Sequence, residues 1–208
     1  MNLKKIKLGN RLIFGFGTMV ALIIAISLIS VLRLNDLSKR FDEVANVNNK
    51  KSSLANEMRG EVNKERTSLR NILISNDPNY MREQQQIYNE SKQNYAQKES
   101  ELEDALSTEK GKKLFNTIKE KEVISQPIFG ETLNKAMRAD ISNKEMEEIL
   151  LKLSRPEEEW INSIQAVIDL QDQNSMNSAI SSENSAKNSK NLVLTITGIV
   201  IILGIIFA

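Results

Sequence analysis

Two uncharged apolar stretches lie near the ends of the chain, and a long polar stretch patterned at helical spacing runs between them. Residues 12–32 carry no charged side chain, and 13 of these 21 residues are Leu, Ile, Val or Phe. A helix rises about 1.5 Å per residue, so the run reaches about 31 Å, the thickness of a bilayer's hydrocarbon core. At about −0.3 to −0.6 kcal/mol each, those apolar residues favour insertion by about 4–8 kcal/mol in total. A cleaved signal peptide is the competing reading, with Ala25-Ile26-Ser27 as a weak cleavage site. A signal's apolar region is only about 7–15 residues, whereas this run continues to Leu32. The pattern predicts a cytoplasmic N-terminus over 1–11 and a first transmembrane helix over 12–32. Residues 192–208 are the second apolar run, with 12 of 17 residues Leu, Ile, Val or Phe. It is slightly short of the ~20 residues of a spanning helix. It predicts a second transmembrane helix over 191–208. A C-terminal tail anchor is one alternative. The favoured expectation is a longer protein continuing past Ala208, since a returning helix that stops in the bilayer has nothing to signal to.

The segment 33–190 holds only Gly60, Gly111, Gly130, Pro78, Pro127 and Pro156 as breakers, and it is rich in Glu, Lys, Gln, Leu and Ala. That argues for long helices and against sheet. Asp77-Pro78 pairs an N-cap with proline at the first helical position. Ser107-Thr108-Glu109 before Gly111 marks a second joint, and Ser142-Asn143-Lys144-Glu145 is a capping box. The expected helices are 34–75, 78–106, 109–138 and 143–190, with kinks at Pro127 and Pro156, where proline removes a hydrogen bond. Short joints make neighbours antiparallel, and two membrane ends require an even number of passes. The predicted fold is all-α: an up-down-up-down extracytoplasmic four-helix bundle flanked by two transmembrane helices.

Apolar stripes support this. Leu34, Leu37, Phe41 and Val44, then Met58, Val62, Leu69 and Ile72, form a heptad-like seam on the first helix. Tyr88, Tyr95 and Leu102 repeat every seven on the second, and Trp160, Ile164, Val167 and Leu170 line the fourth. Core packing accounts for the aromatics, and no cofactor is implied. The second helix falls about 20 Å short of the first at 1.5 Å per residue, so only the first and fourth helices continue to the membrane. Residues 171–191 hold six Ser and five Asn with almost no stripe. A disordered linker is one reading of such a composition. Between a bundle helix and a spanning helix the expected form is a continuous, weakly packed helix that slides or rotates at low cost.

Charge and composition narrow the chemistry. The chain has no His and no Cys, which excludes disulfides, Cys/His zinc sites and nucleophilic triads built on histidine. Lys plus Arg number 28 against 27 Asp plus Glu, which gives no sign of a nucleic-acid binder. Lys4, Lys5, Lys7 and Arg11 form an acid-free start that should stay cytoplasmic, while the span from Arg33 to Asn191 is net negative. Lack of Cys is compatible with an oxidising compartment.

Arg11-Leu12-Ile13-Phe14-Gly15-Phe16-Gly17 after a basic start, Leu54-Ala55-Asn56-Glu57, Arg70-Asn71-Ile72-Leu73 before Asp77-Pro78, Gly111-Lys112, and Arg155-Pro156-Glu157 leading to Leu170-Gln171 carry the likeness. In their order and spacing the chain resembles the N-terminal four-helix-bundle sensory module of bacterial methyl-accepting chemotaxis proteins, over essentially its full length. The resemblance implies a non-enzymatic receptor module in the bacterial inner membrane, a homodimer, and a cytoplasmic continuation whose methylated hairpin controls a histidine kinase. That continuation would lie beyond Ala208. Family members that sense amino acids use arginines on the distal first helix with polar groups on the fourth. Arg59, Arg66 and Arg70 occupy that region, so they stand with Asn63 and Trp160 as candidate ligand contacts. A guanidinium suits a carboxylate because it donates two parallel hydrogen bonds.

Setting Leu34 level with Lys190 places Arg66 near Glu158, Asn63 near Ile161 and Arg70 near Ser154. The competing reading is that Arg66 forms a structural ion pair with Glu157 or Glu158. Partners expected are a second copy, membrane lipid, and a small-molecule ligand or periplasmic binding protein. The rival functions are input to a membrane histidine kinase or cyclase, and a non-sensory membrane-anchored helical protein.

Overall fold

The computed structural model describes residues 8–138 and 141–207, so Lys4, Lys5, Lys7 and Ala208 lie outside the described residues. Among those described, every regular element is helical. They are α1 (Leu8–Asp42), a π-helical segment (Glu43–Asn48), α2 (Asn49–Ile74), α3 (Pro78–Ala105), α4 (Glu109–Ala136) and α5 (Asn143–Phe207). The chain divides into two compact units, one of residues 1–44 with 176–208 and one of residues 45–175.

The second unit is a four-helix bundle of α2, α3, α4 and residues 143–175 of α5. Successive helices run antiparallel, as their side-chain contacts show. Asn71 Nδ2 donates to Gln84 Oε1 near one end of the α2–α3 pair, and Lys98 meets Glu57 near the other. Lys119 Nζ lies 2.8 Å from Glu103 between α4 and α3, and Lys121 Nζ lies 2.8 Å from Glu159 between α4 and α5.

The joints form where local chemistry asks for them. Asp77 Oδ1 accepts from the Asn79 backbone N–H at 2.9 Å, with Pro78 opening α3. Thr108 Oγ1 accepts from the Gly111 N–H at 3.1 Å, and a Cβ at Gly111 would sit 3.0 Å from both Thr108 Oγ1 and Leu106 Cδ2. Glycine is what that close turn admits. Ser142 and Glu145 exchange hydrogen bonds as a capping box, with Ser142 N–H donating to Glu145 Oε2 at 3.0 Å. These contacts hold the Glu145 carboxyl below its ordinary value.

Two expectations need correction. The first helix does not begin at Leu34, because α1 already runs from Leu8, and it does not reach Ser75 as one α-helix, because residues 43–48 are π-helical. An extra residue per turn there rotates the apolar seam relative to the helix that follows. The upper half of the predicted seam is not buried within the chain, since Leu34 and Phe41 are both more than 60 % exposed. α5, in line with the expectation of a continuous helix through 171–191, runs without interruption past Lys190 to Phe207. Both interior prolines remain inside helices, and Ser125 Oγ donates to the Pro156 carbonyl at 3.0 Å, tying α4 to α5 where both prolines fall.

The core is built on Trp160, which is wholly buried between Tyr95 and Phe129. Both rings meet it edge-on, with centroids 5.0 and 5.8 Å away, a favoured aromatic geometry. Met58, Val62, Leu69, Leu102, Ile118 and Ile164 fill the space around them.

The first unit is described separately. Within it Arg40 Nε lies 3.1 Å from Asp36, and Arg40 Nη1 donates to Ser181 Oγ at 2.7 Å. Gly204 lies directly against Met19. One helical stretch among the described residues, near the N-terminus, is long and apolar enough to cross a membrane.

Candidate functional site

Arg59, Asn63, Arg66 and Arg70 recur at spacings of four, three and four on α2, so they line one face of that helix. α5 runs antiparallel beside it, and the register set by the sequence is close to the one observed. Ser52 Oγ donates to Asp172 Oδ1, and Arg59 Nη1 donates to Gln165 Oε1. Arg59 Nη2 also donates to Asn56 Oδ1 at 2.8 Å.

Glu157 is the centre of the arrangement. Its side chain is 2 % exposed, and it receives two arginines from α2. Arg66 Nε lies 2.5 Å from Oε1, and Arg70 Nη2 donates to Oε1 at 3.1 Å and to Oε2 at 3.0 Å. Arg70 therefore reaches Glu157 rather than Ser154, whose hydroxyl donates to the Leu151 carbonyl. Burial holds the Glu157 carboxyl above its ordinary value, while the charges of Arg66 and Arg70 pull it down. The two guanidiniums thus offset part of the desolvation that burial imposes on this carboxyl group. Glu158 is exposed, and Glu157 faces inward because it follows Leu153 and precedes Trp160 and Ile164 at heptad spacing.

Asn63 is half-buried and lines a shallow groove with Lys64, Thr67, Ser68, Gln84 and Ile87 between α2 and α3. Trp160 sits in the core with its Nε1 donating to Tyr95 Oη at 3.1 Å. The structure thus gathers Arg66 and Arg70 on one carboxylate, gives Arg59 a separate partner on α5, turns Asn63 toward α3 and buries Trp160.

Several polar residues escaped the reading of the sequence. Glu65 stands at the seam position between Val62 and Leu69 and is fully buried, with Gln126 Nε2 donating to its Oε2 at 3.1 Å. Glu122 takes the equivalent position on α4, between Ile118 and Ser125. The signal was present as a gap in each stripe: one Glu interrupts the inward seam of α2, of α4 and of α5.

The chain thus carries an antiparallel four-helix bundle, preceded in sequence by a strongly apolar helix, with ion pairs joining the bundle's first and last helices. The family model described as a four helix bundle sensory module for signal transduction matches residues 5–186. The chain belongs to this family, the four-helix-bundle sensory modules of methyl-accepting chemotaxis proteins. The family is a signalling module rather than an enzymatic domain, and its members are usually membrane-linked. Comparison with curated proteins and with solved structures returns no match.

Proposed function

We propose that the chain is the input module of a transmembrane chemoreceptor, sensing an extracytoplasmic cue through the bundle of residues 33–190. In this reading residues 1–11 are cytoplasmic, 12–32 and 191–208 are the two membrane spans, and the signal is a displacement of the second span relative to the first. The observation that carries the reading is the length of α5. A single helix, Asn143–Phe207, bears both Glu157 and the C-terminal apolar run. From 172 to 191 every side chain of that helix is at least partly exposed, so little packing within the chain resists its sliding or turning.

The ligand contacts in this reading are Arg59, Asn63, Arg66 and Arg70, while Trp160, wholly buried against Tyr95 and Phe129, anchors α5 in the core. An incoming carboxylate would compete with Glu157 for the forked donors of Arg66 and Arg70. Loss of that clamp changes how α5 is held against α2. The cue is a small molecule or a periplasmic binding protein, and the output passes to a kinase through the protein's cytoplasmic part. The module works as a homodimer in the lipid of the bacterial inner membrane.

Topology is tested with reporter fusions. Fusions at Asn49 and Asn174 should read outside and a fusion at Asn2 inside; a cytoplasmic signal from Asn174 would overturn the receptor reading. Dimerisation is tested on the seam that runs from the end of α1 into the π-helical segment. The chain has no native Cys, so single cysteines at Leu37, Phe41 and Val44 give a clean background. They should cross-link two copies in a heptad pattern, with intervening positions reacting far less.

A further inference from the structure

Arg33 is the first charged residue after the uncharged run 12–32, and Asp36 follows it one turn later on α1. Together with Ile29 and Leu32 they line an open groove of about 290 Å³. Spacings of three, one and three put all four residues on one face of the helix. One end of the groove is therefore aliphatic, and the other carries a cation and an anion. Leu32 is 68 % exposed, and Leu28 and Val31 beside it are exposed as well.

Both charged groups have bonding capacity to spare. Arg33 has no ion-pair or hydrogen-bond partner among the described residues. Asp36 gives Oδ2 to Arg40 Nε at 3.1 Å, while its Oδ1 has no partner among those residues. Arg40 itself is committed across to α5, donating from Nη1 to Ser181 Oγ at 2.7 Å.

We propose that this groove binds a phospholipid whose headgroup ends in a primary ammonium. Arg33 donates two parallel hydrogen bonds to the lipid phosphate, and Asp36 Oδ1 accepts from the ammonium. An acyl chain lies along Ile29 and Leu32. The inference rests on the reading of residues 12–32 as a membrane span. In that reading the run ending at Leu32 matches the ~30 Å hydrocarbon thickness, which sets Arg33 at the level of the headgroups. A lipid held here fixes the depth at which α1 leaves the bilayer, the reference against which a second span moves.

Charge selects among headgroups. One that is purely anionic satisfies Arg33 but meets Asp36 as a like charge. A choline headgroup carries the positive charge without an N–H, so Asp36 Oδ1 stays unmatched. A phosphate diester ending in an ammonium matches both groups. A second copy of the chain fits this face less well than lipid does. Leu37 and Phe41, the seam offered to a partner chain, lie about 100° around α1 from the groove at 3.6 residues per turn. The exposed aliphatic flanks of the groove instead continue directly into the apolar run, so the bilayer that covers one covers the other.

The experiment uses the full chain in detergent micelles supplied with equal amounts of dioleoyl phosphatidylethanolamine, phosphatidylcholine and phosphatidylglycerol. Native mass spectrometry then reads which lipids stay bound. Phosphatidylethanolamine should be retained about tenfold over each of the others, the ratio that one hydrogen bond to a charged group provides. Asp36→Asn should bring it down to the level of phosphatidylcholine, and Arg33→Gln should weaken retention of all three. Arg40→Gln removes the other partner of Asp36 and should leave the preference in place. Equal retention of the three lipids, a preference for phosphatidylglycerol, or loss of the preference in Arg40→Gln would overturn the proposal. So would displacement by millimolar glycerophosphoethanolamine, which has the headgroup without acyl chains and would assign the groove to a soluble ligand. Failure of the span reading is distinguishable: the full chain would not float with vesicles of these lipids, and the inference would fall with it.

Discussion

Replacing Trp160 with Ala should lower the stability of the bundle by about 3–5 kcal/mol, the range for truncating a fully buried aromatic side chain. Three losses combine at this position. The indole fills the space between Tyr95 and Phe129, and its two edge-on contacts vanish with it. Tyr95, 1 % exposed, also loses the Nε1–H donor that its hydroxyl accepts, and burial makes that group costly to leave unmatched. Trp160→Phe separates the terms. It keeps most of the volume and the ring edge but not the donor, so its cost should be about 1–2 kcal/mol. Circular dichroism of the full chain during thermal unfolding measures both. If Trp160→Ala melted within a degree of wild type, the aromatic cluster would not be the centre of the core.

The fold was legible where the decisive chemistry is local. Asp77-Pro78 and the Ser142–Glu145 box declare helix starts within a few residues, and both do in the structure what their side chains can do at an N-terminus. The antiparallel register of α2 against α5 was legible too, because Arg59 and Gln165 meet at the level that joining Leu34 to Lys190 requires. What escaped depended on the phase of a helix rather than on its presence. The π-helical segment 43–48 left its trace as the break in the stripe between Val44 and Met58, but a break in a stripe does not say which way the following face turns. Glu157 and Glu158 are adjacent in sequence, and a one-residue difference decides which is buried between two arginines and which faces water. Glu65 is invisible to a heptad pattern, which collects apolar residues, whereas a buried carboxyl occupies the same position once it finds a partner such as Gln126.

The clamp on Glu157 leads to the second large effect. Arg66→Ala alone should cost about 1 kcal/mol, because Arg70 still donates to both carboxylate oxygens and both guanidiniums are partly exposed, which screens their charge. Arg66→Ala/Arg70→Ala should cost about 2–4 kcal/mol, well beyond twice the single value, because it strands an ionised carboxylate that is 2 % exposed. Adding Glu157→Leu to the double variant should recover most of that loss, since an apolar side chain at a seam position needs no counter-charge. Trp160, the only tryptophan in the chain, lies one turn along the same helix, so its fluorescence during urea unfolding reads all these variants without a label. The same side chains separate a purely structural clamp from one that a ligand opens. If a ligand carboxylate competes with Glu157, Glu157→Gln removes the internal competitor's charge while keeping its shape, and the two arginines should then take an external carboxylate more tightly. Isothermal titration with a set of amino acids and dicarboxylates should show heats that strengthen in Glu157→Gln and disappear in Arg66→Ala/Arg70→Ala. Stability changes of the predicted size with no heat from any compound, in the wild type or in Glu157→Gln, would leave the arginines a structural role alone.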